Sequence, residues 1–224
     1  MRSPDTTTSP AQDPQLTAGA NGWKPRARYN ACMLFLLTGD IQTGKTRWLM
    51  RQATALAAQG VRVEGVLAPG IWREHQDVED VERFEKRGIE NVLLPQGESI
   101  PFALRRDLAP VNTTSESARA MLGWEISDEA LARVNAHFRE LKSSAAEDGH
   151  PRLTIVDELG KLELLRGGGL TEAMALLDDG PRHAQHHALI VVRASLVEQA
   201  EARFRNAWPK QMRIGPTGTL TLPN

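Results

Sequence analysis

Eight consecutive residues, Gly39-Asp40-Ile41-Gln42-Thr43-Gly44-Lys45-Thr46, have the types and spacing to hold a polyphosphate. They fit the pattern G-x-x-x-x-G-K-S/T, in which two glycines let the backbone wrap phosphate oxygens and turn its N–H groups inward. Lys45 would bring a cation to the β- and γ-phosphates, and the Thr46 hydroxyl would ligate a magnesium ion. All eight residues are therefore candidate nucleotide-binding positions.

The second candidate is an acidic pair, Asp157-Glu158, which directly follows the apolar run Leu153-Thr154-Ile155-Val156. In open parallel sheets ligands sit beyond the carboxyl ends of the strands, so a strand-end acid and a strand-end glycine loop belong on one rim. Asp157 is assigned to the magnesium ion beside Thr46. Successive strand residues point opposite ways, which leaves Glu158 free to orient a water at the γ-phosphate. Arg193 ends another apolar strand on that rim, where it would touch the γ-phosphate or pair with an acid. Lys161 and Glu163 are assigned to shaping the turn after the pair.

These groups need elements to position them. Ala31 to Leu37 is an apolar run of buried-strand length leading into the loop. Beyond the loop, Trp48, Leu49, Ala53, Leu56 and Ala57 recur at helical spacing until Gly60. Val61 to Ala68 reads as a strand broken by Gly65. Val78, Val81 and Phe84 suggest a short helix, and Ile89–Leu94 with Ser99–Leu104 flank Pro95-Gln96-Gly97-Glu98 like the arms of a hairpin. Residues 111–116 read as a loop. Helices are expected from a Ser127 cap to about Lys142, from a Thr171 cap through Leu177, and from Ser195 to Trp208. Residues 188–192 are a strand, and residues 212–222 a last strand or hairpin. Strands alternating with helices give an α/β domain over residues 31–224, with a mainly parallel sheet and a small antiparallel excursion.

Residues 1–30 are expected to be a disordered tail, poor in large apolar residues and carrying a short basic step, Lys24 to Arg28. Net charge is −1 with both signs interspersed, so no basic patch points to nucleic acid. The longest apolar run is far shorter than a membrane span, and no signal-peptide core is visible. Cys32 is the single cysteine, which excludes a disulfide frame and suits a reducing compartment, so the cytoplasm is expected. His183, His186 and His187 lack a carboxylate or thiolate at ligand spacing and read as a connector rather than a metal site. Of five tryptophans, Trp72 and Trp124 are candidates to stack on a base, the others to pack.

The stretch Val156-Asp157-Glu158-Leu159-Gly160-Lys161-Leu162-Glu163-Leu164 resembles the D-E-I/L-G-K-M/L-E-L signature of a nucleoside-triphosphatase family of P-loop proteins, described from thermophiles and as a cancer-related nucleoside-triphosphatase. The resemblance extends to Thr38 through Thr46, Gly65 through Glu74, and Val191-Val192-Arg193-Ala194-Ser195-Leu196. It implies a three-layer P-loop fold and magnesium-dependent hydrolysis of ATP, GTP and other nucleoside triphosphates. It puts phosphate binding on Gly39 to Thr46, metal support on Asp157 and water activation on Glu158. The chain departs from the pattern at Gln42, where many members carry a third glycine, and at Arg47, where a second threonine is usual. Two rival functions use the same loop. A small phosphotransferase would need a lid such as Arg105-Arg106 over its acceptor, and a nucleotide-gated interaction module would dock a protein partner that the sequence leaves unknown.

Overall fold

A computed structural model describes residues 31–40, 42–74, 84–110, 123–144 and 149–223. The tail (1–30), Ile41, Val78, Val81 and the expected loop at 111–116 lie outside them. Nine strands form one sheet: β1 (Leu34–Leu37), β2 (Arg62–Leu67), β3 (Gly70–Glu74), β4 (Phe84–Leu94), β5 (Glu98–Arg105), β6 (Trp124–Ile126), β7 (Arg152–Leu159), β8 (His186–Val192) and β9 (Gln211–Ile214). Among the described residues five α-helices accompany it: α1 (Lys45–Ala58), α2 (Asp128–Ser143), α3 (Lys161–Arg166), α4 (Thr171–Asp179) and α5 (Val197–Phe204).

The sheet order is β6-β5-β4-β2-β7-β8-β1-β9, with β3 beside β4. Strands β2, β7, β8, β1 and β9 run parallel, and β3 to β6 form an antiparallel wing attached through β2 and β4. The wing holds four strands, more than the hairpin expected. Phe84 opens β4 instead of closing a helix, while β3 and β6, five and three residues long, are too short for a period to show. Thr171 is the first residue of α4 rather than its cap; Leu170 precedes it without a side-chain cap, and Asn135 Oδ1 accepts from the Glu172 N–H at 3.0 Å. The last helix is shorter than expected, a 3-10 turn at Ala194–Leu196 followed by α5.

Both faces of the parallel strands are covered, and the alternation of β1 and β8 shows how. Leu34, Leu36, Ala188, Ile190 and Val192 face the layer that holds α2, α4 and α5, with Phe138, Phe204 and Trp208 at its centre. Phe35, Leu37, Leu189 and Val191 face α1, through Trp48, Leu49 and Leu56. Burying each such side chain contributes about 1.5–3 kcal/mol, so the parallel strands form the rigid part of the molecule. Cys32 and Met33 precede β1 rather than belonging to it. The buried Cys32 thiol contacts the carbonyls of His183 and Ala184.

The amino ends of these strands enclose a buried ionic network. The Glu64 carboxylate accepts from Arg152 at 3.2 Å, from the Thr154 hydroxyl at 3.1 Å and from Arg182. His186 Nδ1 accepts the Arg182 backbone N–H, so its Nε2 carries the proton and donates to Thr154. Both ring nitrogens of His186 are thus in use. Burial, then the charge of Arg182, pushes His186 well below its usual range and keeps it neutral. His187 Nδ1 accepts from Met33 N–H, and His183 stacks on His186, so the three histidines belong to this end of the sheet.

Gly65 does not break β2. It lies in the strand at φ +111°, paired with β4 on one side and β7 on the other. A Cβ there would come within 2.1 Å of the Ile155 carbonyl oxygen. The close approach of β2 to β7 requires glycine for both backbone angle and space. Gly65→Ala is expected to destabilise the protein by at least about 3 kcal/mol, read as a drop in the urea midpoint. An unchanged midpoint would refute the close approach.

Candidate functional site

The glycine loop leaves β1 and enters α1. Gly39 (φ +149°) and Gly44 (φ +79°) adopt backbone angles that side-chain-bearing residues avoid. Gln42 sits at φ +63°, so the chain holds a left-handed residue where the pattern favours glycine, at a cost of roughly 1–2 kcal/mol. Gly44 immediately precedes α1, whose first turn carries no acid, leaving its N–H groups and positive dipole end facing the loop. The Lys45 ammonium folds back onto the carbonyls of Gly39, at 2.9 Å, and Asp40. The Thr43 hydroxyl donates to the Asp40 carbonyl at 2.9 Å. Arg47 is exposed.

Strand β8 separates β1 from β7, so the loop strand and the acid strand lie about 10 Å apart. The first turn of α1 bridges that gap. The Thr46 hydroxyl lies 3.4 Å from Asp157 Oδ1, and the Ala68 N–H donates to Asp157 Oδ2 at 3.0 Å. Asp157 is 4% exposed. Its carboxyl is pushed up to about 6, chiefly by burial, against the pull of the Ala68 and Thr46 hydrogen bonds. The β7–β8 register shifts between Val156 and Leu159, where the two acids sit. Asp157 turns inward to Thr46, and Glu158 outward, where it accepts from Arg193 Nε at 2.8 Å. Of the two roles left open for Arg193, ligand-free pairing with an acid is the one adopted. Both partners are over a third exposed, so the pair contributes little to stability and can exchange.

The signature continues into α3, which the sequence reading left as a turn. Glu163 accepts the N–H groups of Gly160, at 2.9 Å, and Leu170, at 3.3 Å, bracing the segment behind the acidic pair. Lys161 opens α3.

Two further walls escaped the sequence reading. The segment after β9 lies against the loop: Trp48 Nε1 donates to the Gly218 carbonyl at 2.9 Å, Gln52 accepts from Leu220 N–H at 2.8 Å, and Pro216 lies beside Gly39. The antiparallel wing brings Lys86 over the Trp124 ring at 5.2 Å, with Trp72 its register partner. The turn signal Pro216-Thr217-Gly218 was visible but pointed to no site, and Lys86 carried no signal without the β3–β4 register. Trp48 and Trp208 pack, while Trp72 is 45% exposed on the wing. The arginines considered for a lid are tied down, Arg105 to Glu85 and Asp107 and Arg106 to Glu125.

The raised Asp157 carboxyl gives a pH signature. Its folded value of about 6 exceeds the reference 3.8, so it is neutral in both states at pH below about 4 and imposes no penalty there. As pH rises through 6 the folded protein must ionise a group that burial disfavours, costing up to about 3 kcal/mol. In chelator-containing buffer, Asp157→Asn should be more stable than wild type at pH 8 and gain nothing at pH 4, measured by urea unfolding. An equal gain at both pH values would contradict the burial argument.

No protein-family model matches the chain, and no curated protein matches it. Among solved structures, the solution structure of a human cancer-related nucleoside triphosphatase is similar, with a TM-score of 0.55 and 19% identity, over 83% of this chain and 88% of that one. At that identity the likeness is one of fold, a mixed α/β architecture with a large, mostly parallel sheet. Among the described residues no helix is long and apolar enough to cross a membrane.

Proposed function

We propose that the chain is a magnesium-dependent hydrolase of nucleoside triphosphates, releasing the diphosphate and inorganic phosphate. The observation that carries this is the meeting of Thr46 and Asp157, 111 residues apart in sequence, at the end of a glycine loop. The similar human structure, named a nucleoside triphosphatase, adds to it.

A hydroxyl and a carboxylate converging in a desolvated corner are hard oxygen donors, which is the set that suits magnesium. Thr46 and Asp157 would hold the ion, which when bound neutralises charge on the β- and γ-phosphates. The loop N–H groups and the start of α1 bind the phosphate chain. Lys45, now satisfied by two loop carbonyls, exchanges them for phosphate oxygens, a stronger charge-assisted contact. Arg193 leaves Glu158 for the γ-phosphate, and the freed Glu158 carboxylate accepts a hydrogen bond from the attacking water and aligns it. The ion pair is exposed enough for this exchange to cost little. The phosphotransferase alternative would draw its lid from Arg105 and Arg106, which here pair with Glu85, Asp107 and Glu125.

Phosphate release should be measured with each of the four common triphosphates, with and without magnesium, on wild type, Glu158→Gln and Lys45→Ala. Glu158→Gln is expected to keep nucleotide binding and lose roughly a hundredfold or more in turnover. Lys45→Ala is expected to weaken binding itself by about 1.5–3 kcal/mol. Turnover unchanged in Glu158→Gln would remove that residue from the mechanism, and no magnesium-dependent release from wild type would overturn the reading.

A further inference from the structure

Lys86 is a cation at the rim that bonds no carboxylate among the described residues. It sits on β4, opposite Trp72 of β3, at a point where the β3 register shifts between Ile71 and Trp72. Its ammonium lies 5.2 Å over the Trp124 ring, and among the described residues it forms no ion pair. Its stem lies along the open α-carbon of Gly70, where a Cβ would come 2.7 Å from Lys86 Cε and 2.8 Å from Trp72 Nε1. Two residues before Gly70, the Ala68 N–H donates to Asp157, so the wing and the acidic pair meet at this corner.

The acidic pair and Arg193 lie within electrostatic reach of the Lys86 ammonium. The carboxylates of Glu158 and Asp157 attract it and the Arg193 guanidinium repels it, while burial, the largest effect, holds its ammonium below the usual lysine range. A structural lysine would be neutralised by an adjacent acid or extended into water. Lys86 does neither: an aromatic face supports it at partial burial, a place where an incoming anion is worth more than in bulk water.

Resting on the hydrolase reading above, we infer that Lys86 is a further catalytic residue, a cation delivered by the antiparallel wing to the terminal phosphate of a bound nucleoside triphosphate. Lys45 approaches from the loop side and Lys86 from the β3–β4 side, so the terminal phosphate is met on two flanks. The wing thereby acquires a task in the site: it reads whether a third phosphate is present.

The test compares wild type, Lys86→Met, Lys86→Gln and Lys86→Arg in the full chain with magnesium. The readouts are affinity for ADP and for a non-hydrolysable ATP analogue, phosphate release from ATP, and melting temperature. Lys86→Met keeps the stem on Trp124 and removes the charge, and Lys86→Gln is a second neutral form should packing be sensitive. Both should lose about tenfold or more in preference for the ATP analogue over ADP and in kcat/KM for ATP. ADP affinity and melting temperature should hold, and Lys86→Arg should recover much of the preference. An undiminished preference in both neutral variants, or an equal loss for ADP and the analogue, overturns the assignment. Wild type that hydrolyses ATP while the neutral variants match it sinks Lys86 alone. Wild type that neither binds nor hydrolyses ATP sinks the hydrolase reading and this one with it.

Discussion

The carboxylate of Asp157 is the constraint on which the rest of the architecture turns. It is buried at the carboxyl rim with an N–H and a hydroxyl for partners, and its carboxyl is held near 6. Two neutral donors do not offset the desolvation of an ionised acid. A buried acid perturbed in this way marks the rim as a candidate functional site. Ala68 reaches Asp157 because β2 lies hard against β7, and β2 lies there because Gly65 has no side chain to collide with Ile155. One glycine near the centre of the sheet thus sets the position of a donor at its rim.

The two ends of the parallel strands solve the same electrostatic problem in opposite ways. At the amino end Glu64 is fully buried and is met by Arg152, Arg182 and the Thr154 hydroxyl, with neutral His186 completing the chain. Breaking one partner there would strand a buried charge, so that end is closed and fixed. At the carboxyl end Asp157 bonds no cation among the described residues, and the cations nearby are engaged elsewhere: Lys45 with loop carbonyls, Arg193 with exposed Glu158, Lys86 with an aromatic face. Rigidity at one end and exchangeable partners at the other suit a sheet that carries a site at one rim.

What the sequence disclosed followed from the reach of each signal. Residues that act through local spacing were legible: the glycine loop, the α1 repeat ended by Gly60, the Ser127 cap whose Oγ accepts from the Ala130 N–H, and the acids near the end of an apolar strand. Strands buried on both faces were found by length. The short strands β3 and β6 were missed, because five polar-rich residues with one exposed tryptophan, or three residues alone, carry no period. Gly65 read as a strand breaker because glycine weakens isolated strands, whereas here a neighbouring backbone demands it. Lys86 and the Pro216–Gly218 wall depend on long-range register, and nothing local to them records it.

The loop also shows why a departure from a motif need not abolish its geometry. Gln42 holds a positive φ that a glycine would adopt freely, yet the strain of one such residue is small beside what fixes the loop at both ends. On one side β1 is locked between β8 and β9, and on the other Trp48 and Leu49 anchor α1 in the core. Trp48 also binds the segment after β9 through its indole N–H, so the wall beside Gly39 and the helix behind it move as one. With the strand before it and the helix after it fixed to that degree, the side chain at position 42 is accommodated rather than consulted. The order of the glycines at 39 and 44 matters more, because those two positions set where the chain leaves the strand and where the helix begins.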